Sequence, residues 1–126
     1  MSVATITNRY KVVVTTAADG SATAYFPGNI QGRISSIQYV KTDFADGSTI
    51  TVTGETTGTS IWAQTGVNAS ATVAPRQPTH SLAGVASIYA TTFPVLDYIA
   101  ISDERIKIVI ASGGNTKTGT FYITVI

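Results

Sequence analysis

Hydrophobic and polar residues alternate along short segments of this chain, and turn residues separate the segments. Residues 10–16 run to Asp19-Gly20, and residues 22–26 run to Pro27-Gly28-Asn29. Val, Ile, Thr and Tyr fill such segments, and these residues favour strands. No segment shows the 3.6-residue period of a helix of useful length. The pattern therefore predicts an all-β chain.

Further segments of the same kind predict more strands up to the C-terminus. They cover residues 33–41, 48–53, 60–64, 87–91, 98–102, 105–111 and 120–126. Together they predict a single-domain antiparallel β-sandwich or barrel that spans residues 1–126 and contains little helix. Within 33–41, alternation places Ile34 and Val40 on one face, and Ile37 and Tyr39 on the other.

Local turn signals suggest which strands are neighbours. Asp46-Gly47 is a favoured two-residue hairpin signal. The last three segments look like a meander, with Asp103-Glu104 as a solvated first corner and residues 113–115 as the final hairpin. Between residues 65 and 87 the chain becomes small and polar, with Pro75 and Pro78, which predicts a long loop with room for a little structure of its own. Loops of this length in compact domains are usually functional or mobile.

The composition narrows the classes of function. The chain has 126 residues, which suits one domain. Charged residues make up only 12% and the net charge is +1, so no electrostatic field favours nucleic acid or an anionic membrane. Cysteine is absent, which excludes disulfides and thiol chemistry. No secretory signal or membrane-length apolar run is present, so we expect synthesis in a cytoplasm.

Residues 114–119 have the glycine spacing of a phosphate-binding loop. Such a loop needs a Lys after its second glycine and a helix beyond it. Here Thr120 and Phe121 follow Gly119, and the next residues alternate as a strand does. We therefore expect a hairpin and no bound nucleotide.

Other candidate chemistry is incomplete in the same way. His80 is the one histidine, and no second histidine accompanies it as a metal ligand. Asp43, Asp46 and Glu55 faintly resemble a calcium loop, but Ala45 replaces a ligand and turn chemistry explains Asp46-Gly47. No nucleophile, base and orienting group can be assembled. We expect no enzyme, no cofactor and no metal site.

The small number of charged residues indicates that this chain associates with other subunits. Sheet proteins protect open strand edges with charge, proline, bulges or a covering partner. Val12-Val13-Val14 and residues 122–126 would be aggregation-prone at an open edge. We therefore expect a homo-oligomer in which Val125 and Ile126 contact a neighbouring subunit; the alternative is a closed barrel without free edges.

Two blocks of the chain carry a resemblance: GRISSIQYVKTDFADGSTITVTGETTG (residues 32–58) and DERIKIVIASGGNTKTGTFYITVI (residues 103–126). They resemble small structural proteins of tailed bacteriophages, among them capsid decoration or cement proteins. The resemblance implies a component of the virion that binds the outer lattice of the head, with the phage major capsid protein as partner. It also implies a trimer, because capsid lattices offer threefold positions.

The leading hypothesis is thus a non-enzymatic decoration protein located in the phage head. Its expected contact residues lie in the long loop and in the N-terminal segment: Arg76, Gln77 and His80, with Arg9 and Tyr10. The alternatives are another virion part, such as a head-completion or tail protein, or a carbohydrate-binding β-module. The last would use Trp62 and Tyr89 as stacking platforms.

Overall fold

A computed structural model describes residues 7–126, which form two antiparallel sheets packed face to face. The strands are β1 (Asn8–Thr15), β2 (Ala22–Tyr25), β3 (Ile30–Lys41), β4 (Ser48–Gly54), β5 (Ser60–Val67), β6 (Ala71–Val73), β7 (Arg76–Pro78), β8 (Ile88–Ala90), β9 (Phe93–Pro94), β10 (Leu96–Glu104), β11 (Ile106–Ala111) and β12 (Thr118–Val125). The prediction of an all-β antiparallel sandwich is confirmed, and the sheets do not close into a barrel. Among the described residues no helix is long and apolar enough to cross a membrane.

The first sheet has the order β1-β12-β3-β10-β7, and β6 also pairs with β3. The second has the order β2-β11-β4-β5, and β8 pairs with β9 in a separate hairpin. Each strand directs alternate side chains inward, so the inner faces of the two sheets form one hydrophobic core. Phe26, Phe44, Phe121 and eleven isoleucine residues are among its buried members.

The turn signals mark turns, but they do not join neighbouring strands. β3 and β4 lie in different sheets, so Asp46-Gly47 connects the sheets and is not a two-residue hairpin. β11 and β12 also lie in different sheets, so residues 113–115 form no hairpin and the final three strands form no meander. The two connections bond to each other, because the Ala45 amide donates to the Gly113 carbonyl at 2.9 Å. This mutual contact stabilises both crossings at one end of the sandwich.

A β-bulge in β3 changes which residues face the core. Ile37 pairs with Ile123 and Ser36 with Thr124, but Val125 pairs with Ile34, so Ser35 is the extra residue. Because one extra residue inverts the alternation, Ile34 and Ile37 are both buried. The predicted assignment of those two residues to opposite faces was wrong.

The range 65–87, predicted as a long loop with a little structure of its own, contains the end of one strand and two short strands. β5 continues to Val67, and β6 and β7 both lie within the range. β6 pairs with β3 and β7 pairs with β10, so each adds to the larger sheet. The sequence does not predict β6 and β7 individually, because each has only three residues, too few to show a clear alternation. Each depends on pairing with its partner strand.

Tyr39 is a buried aromatic residue whose polar hydroxyl lies in the hydrophobic core. Its ring is buried between Phe44 and Phe121, at centroid distances of 5.8 and 5.0 Å. Its hydroxyl has no hydrogen-bond partner among the described residues. Burial, with a smaller contribution from Asp43, raises the pKa of Tyr39 to about 12.

We expect Tyr39→Phe to leave stability unchanged or raise it by about 1 kcal/mol, because the variant removes a buried hydroxyl that has no partner. Urea denaturation measures the change, and Tyr122→Phe on the outward face is the matched control. A clear loss of stability in Tyr39→Phe would contradict this account of the hydroxyl.

Candidate functional site

The most unusual surface of the molecule is an arm formed by residues 79–96, which we call the apolar arm. It extends from the β7–β10 edge of the larger sheet and contains β8 and β9. Leu82 at its tip is fully exposed and Tyr89 is 71% exposed. Seven of the nine exposed large hydrophobic side chains among the described residues lie here: Leu82, Val85, Ile88, Tyr89, Phe93, Val95 and Leu96.

Backbone hydrogen bonds order the arm without help from the core. The Thr79 amide donates to the Val95 carbonyl, the Ser87 amide donates to the Thr79 carbonyl, and the Val95 amide donates to the Ser87 carbonyl, at 2.8–2.9 Å. The Tyr89 and Phe93 rings stack at a centroid distance of 5.9 Å. The arm is therefore a defined structure with its apolar side chains already arranged on the surface.

The exposed area of the arm is comparable to one side of a protein interface. Aromatic side chains bury roughly 150–250 Å² each and aliphatic ones somewhat less, so these seven side chains, each at least 40% exposed, offer on the order of 700 Å² in total. Monomeric proteins rarely expose contiguous apolar patches beyond a few hundred Å². A specific interface buries about 800 Å² on each partner. The arm has the size and chemistry of a binding surface.

A second surface covers the outward face of the larger sheet. Arg9 and Lys11 of β1, Arg33 of β3 and Arg76 of β7 lie on this face, together with Tyr98 and Tyr122; we call these six residues the basic face. β1 and β7 are four strand spacings apart, about 19 Å. Four of the eight Lys and Arg residues of the chain therefore share one side of one sheet.

The arginines of the basic face stack on its tyrosines. The Arg9 guanidinium lies 3.9 Å from the centre of the Tyr122 ring. The guanidinium groups of Arg76 and Arg33 lie 4.2 and 5.2 Å from the centre of the Tyr98 ring. Arg9 also donates from one terminal nitrogen to the Gln38 side-chain oxygen, and Arg76 donates from one terminal nitrogen to the Ile34, Ser35 and Pro75 carbonyls. Such contacts hold each cation in place, and the remaining guanidinium N–H groups can bind an anion.

The predicted contact residues divide between these surfaces. Arg9 and Arg76 both belong to the basic face. His80 is exposed in the arm and forms an isolated bridge with Ala86. Tyr10 points inward and packs against the core. Gln77 lies on the opposite side of β7 from Arg76, and its side chain reaches the Tyr98 carbonyl at 3.5 Å. The structure thus brings Arg9 and Arg76 onto one face and separates Tyr10 and Gln77 from it.

Of the two residues predicted to contact another subunit at the C-terminus, Val125 is buried, whereas the contact at Ile126 stays a prediction. β12 lies between β1 and β3 and is not an edge strand. Val125 is 1% exposed and packs in the core, so it cannot contact another subunit. Ile126 is half-buried, and its backbone exchanges two hydrogen bonds with Arg33. The edge strand at this side is β1, where Val13 is 53% exposed.

The other candidate sites have structural explanations. The Asp43 carboxylate accepts a hydrogen bond from the Thr118 amide, Asp46 pairs with Lys41, and Glu55 pairs with Arg105. No group of three potential metal-ligating side chains is found between residues 7 and 126. Trp62 is buried and unavailable for stacking, whereas Tyr89 is exposed.

Glu104 is a buried carboxylate that the sequence pattern did not reveal. It is 4% exposed, although an acidic pair at a turn indicates solvated charge. One carboxylate oxygen accepts from the Thr56 and Thr57 amides at 2.9 and 3.1 Å, and the other accepts from the Thr57 hydroxyl at 2.9 Å. A Cβ at Gly54 would collide with this carboxylate. The bond from the Thr57 amide is the main reason that the pKa of Glu104 is lowered.

We expect Glu104→Gln to lower the melting temperature at neutral pH by on the order of 5 °C, because an amide cannot replace all three accepted bonds. Because the pKa of Glu104 is lower in the folded state than its ordinary value of 4.5, its carboxylate contributes its full stabilisation when the pH is above 4.5. That contribution is lost as the pH falls through the lowered pKa. The variant should therefore lose less stability than the wild type on acidification. Thermal melts across this pH range measure the difference.

Glu55→Gln is the control, because it also removes one carboxylate near the same turn. The charge of Glu55 slightly raises the pKa of Glu104, and the hydrogen bond from Arg105 lowers the pKa of Glu55 itself. Its exposed ion pair should contribute much less to stability. A Glu104→Gln variant with the wild-type melting temperature and acid profile would show that this carboxylate does not stabilise the turn.

Comparison with known proteins places few constraints on the chain. No family model matches the sequence, and no curated protein matches it. One solved structure with similarity is the cryo-EM structure of the extra small virus VLP of the giant freshwater prawn Macrobrachium rosenbergii. The identity is 12%, the TM-score is 0.35, and the match covers 98% of this chain and 82% of that chain. This similarity is too low to transfer the properties of that particle to the present chain.

Proposed function

We propose that this chain is a non-enzymatic structural protein of a tailed-phage virion. In this proposal it is a capsid decoration, or cement, protein that binds the outer lattice of the head. The observation that carries the proposal is the apolar arm, an ordered hydrophobic surface that projects from a stable sandwich. Such a surface is suited to a partner that covers it.

Binding through the arm would stabilise the particle by linkage. A protein that binds the assembled lattice but not its separated subunits shifts the equilibrium toward the assembled lattice. Burial of about 700 Å² at roughly 25 cal/mol per Å² corresponds to a gross gain on the order of 15 kcal/mol per arm, before the entropic costs of association are subtracted. The net affinity at each lattice position is what remains of this gain after those costs.

The phage major capsid protein is the proposed partner, and the phage head is the proposed location. Support comes from the resemblance of residues 32–58 and 103–126 to phage decoration proteins. These two blocks contain most of β3, β4, β11 and β12, which are the central strands of the sandwich. The arm lies between the two blocks, so the part that would touch the partner is outside the resemblance.

Sedimentation with expanded, empty capsids tests the proposal. Purified protein is mixed with capsids from the phage that encodes it, and the bound fraction is measured against protein concentration. Saturable binding, together with a higher melting temperature of the capsid, is the expected result. Lack of binding to the head, with binding to purified tails or neck complexes, would support another virion part instead.

A carbohydrate-binding role is a second candidate because of one observation. The Tyr89 ring is exposed and stacked on Phe93, which is an arrangement that can support a sugar ring. A glycan array separates the two functions: retention of defined glycans with no affinity for capsids would favour the carbohydrate role.

We further propose a homo-oligomer, with a trimer favoured from the decoration-protein resemblance. Among the described residues β1 pairs on one side only, and this edge together with the exposed Val13 supports self-association, whereas Val125 is buried. Light scattering at micromolar concentration should give a mass of three times 13.1 kDa. A monomeric mass would overturn the oligomer, and a dimeric mass would overturn only the trimer.

A further inference from the structure

We propose that the basic face binds an acidic protein surface, one that presents several carboxylates along about 19 Å. The inference goes beyond the proposed function because it specifies the chemistry of the partner. It rests on that function only for the identity of the partner as a capsid protein.

The basic face carries positive charge, and no acidic residue in the described part of the chain is paired to it. Arg9, Lys11, Arg33 and Arg76 lie at outward-facing positions, and no carboxylate occupies a paired position on this face. The two ion pairs among the described residues, at Lys41 and Arg105, involve other basic groups. Without these four residues the rest of the chain has four basic and seven acidic side chains, a net charge of −3. The weak total charge therefore conceals a strongly polarised molecule.

Asp97 and Asp103, the two aspartates of β10, form no ion pair with the basic face. Asp97 pairs with Gln77 on the opposite side of the sheet. Asp103 lies in the irregular segment between Ile101 and Glu104, beyond the row that contains Arg33. A positive surface of this size, without its own counterions, favours a partner of opposite charge.

The arginine geometry favours carboxylates over nucleic acid. A guanidinium binds a carboxylate through two parallel hydrogen bonds. Proteins that bind single-stranded nucleic acid combine positive charge with aromatic rings that are free to stack on bases. Here Tyr98 and Tyr122 are occupied by the guanidinium groups of Arg76 and Arg9, so they offer no open platform. Between residues 7 and 126 the face is part of an open sheet and forms no groove that could enclose a nucleic-acid strand.

The basic face is continuous with the apolar arm. Leu96 is two residues from Tyr98 on β10, so both side chains lie on the same side of the sheet. The apolar surface therefore begins where the basic face ends. One partner could cover both, with hydrophobic burial supplying affinity and the charges supplying orientation and fast association.

Fluorescence anisotropy with a labelled poly-glutamate peptide tests the inference directly. We expect saturable binding at about 0.02 M salt and a large loss of affinity at about 0.3 M, because ionic screening strengthens with salt. The double variant Arg9→Gln/Arg33→Gln should weaken binding by about tenfold, as expected when two charge-assisted contacts are lost. Lys107→Gln is the matched control, since Lys107 lies on the outward face of the other sheet and should leave affinity within about twofold of the wild type.

Lys11→Gln, at a single exposed position, keeps the test valid if the double variant does not fold; it should weaken binding about threefold. No saturable binding at low salt would overturn the inference, as would an equal loss in Lys107→Gln. Tighter binding of a thymidine oligonucleotide than of poly-glutamate would show that the face prefers nucleic acid. Retained poly-glutamate binding by a protein that fails to bind capsids would refute the proposed function and leave this inference standing.

Discussion

Replacement of both Tyr89 and Phe93 with Asp is expected to weaken capsid binding by at least about 100-fold. The two rings stack on each other at the centre of the apolar arm, and buried aromatic residues dominate protein interfaces. The double variant places two carboxylates in a contact that must lose water, which opposes binding further. The melting temperature should stay close to the wild-type value, because both side chains are exposed in the free protein.

Thr92→Asp is the control for this experiment. It adds a charge to the same hairpin but removes no apolar side chain, so its affinity should fall much less than that of the double variant. Sedimentation with capsids gives both affinities, and thermal melts establish that the variants are folded. Unchanged binding by the double variant would show that the arm is not the contact surface.

Phe121→Ala is expected to destabilise the fold by about 3–5 kcal/mol, a large share of the stability of a domain of this size. The side chain is fully buried in β12 and its ring stacks against Tyr39. The rigid sheets on either side cannot collapse into the space that the ring leaves. Urea denaturation should therefore show a much lower midpoint.

Thr120→Ala on the same strand is the matched control for Phe121→Ala. Its side chain faces outward, and such surface substitutions usually change stability by about 0.5 kcal/mol or less. Similar losses in the two variants would show that β12 does not divide its side chains between the core and the surface as described.

The strands were predictable because each carries a local signal. In β4, Ile50 and Val52 alternate with threonines, and the alternation depends only on neighbouring residues. The same holds for β12, where Phe121 and Ile123 are buried and Tyr122 is not. The prediction of an all-β sandwich follows from many such segments.

Strand pairing was not predictable, because it depends on contacts between distant residues. Asp46-Gly47 makes a turn in either case, and nothing in its sequence shows that the chain then enters another sheet. The bulge at Ser35 also has no signal in the sequence, because a bulge needs no special residue. It nevertheless changes which side chains of β3 face the core. The error at Val125 has the same origin, since a strand near the end of the sequence was assumed to lie at the edge of a sheet.

The candidate site was only partly visible in the sequence. Arg9 and Arg76 were expected as contacts, but the sheet was needed to show that they share a face with Arg33. The arm begins inside the predicted long loop and ends nine residues after it. The sequence signal for the arm is the presence of Leu82, Val85 and Ile88 in a stretch that is otherwise too polar for a core. Glu104 offered no signal, because its partners at Thr56 and Thr57 are about fifty residues away.

The pairing of β1 with β12 has a consequence for how the protein is made. Asn8 pairs with Val125 and Thr15 with Thr118, so the larger sheet joins segments more than one hundred residues apart. Contacts of such long range slow folding, and sandwiches of this kind typically fold in milliseconds to seconds. During synthesis β1 must wait, unpaired, until β12 has left the ribosome. Its three consecutive valines are then open to other chains, and a nascent-chain experiment should show β1 gaining protection only after β12 emerges.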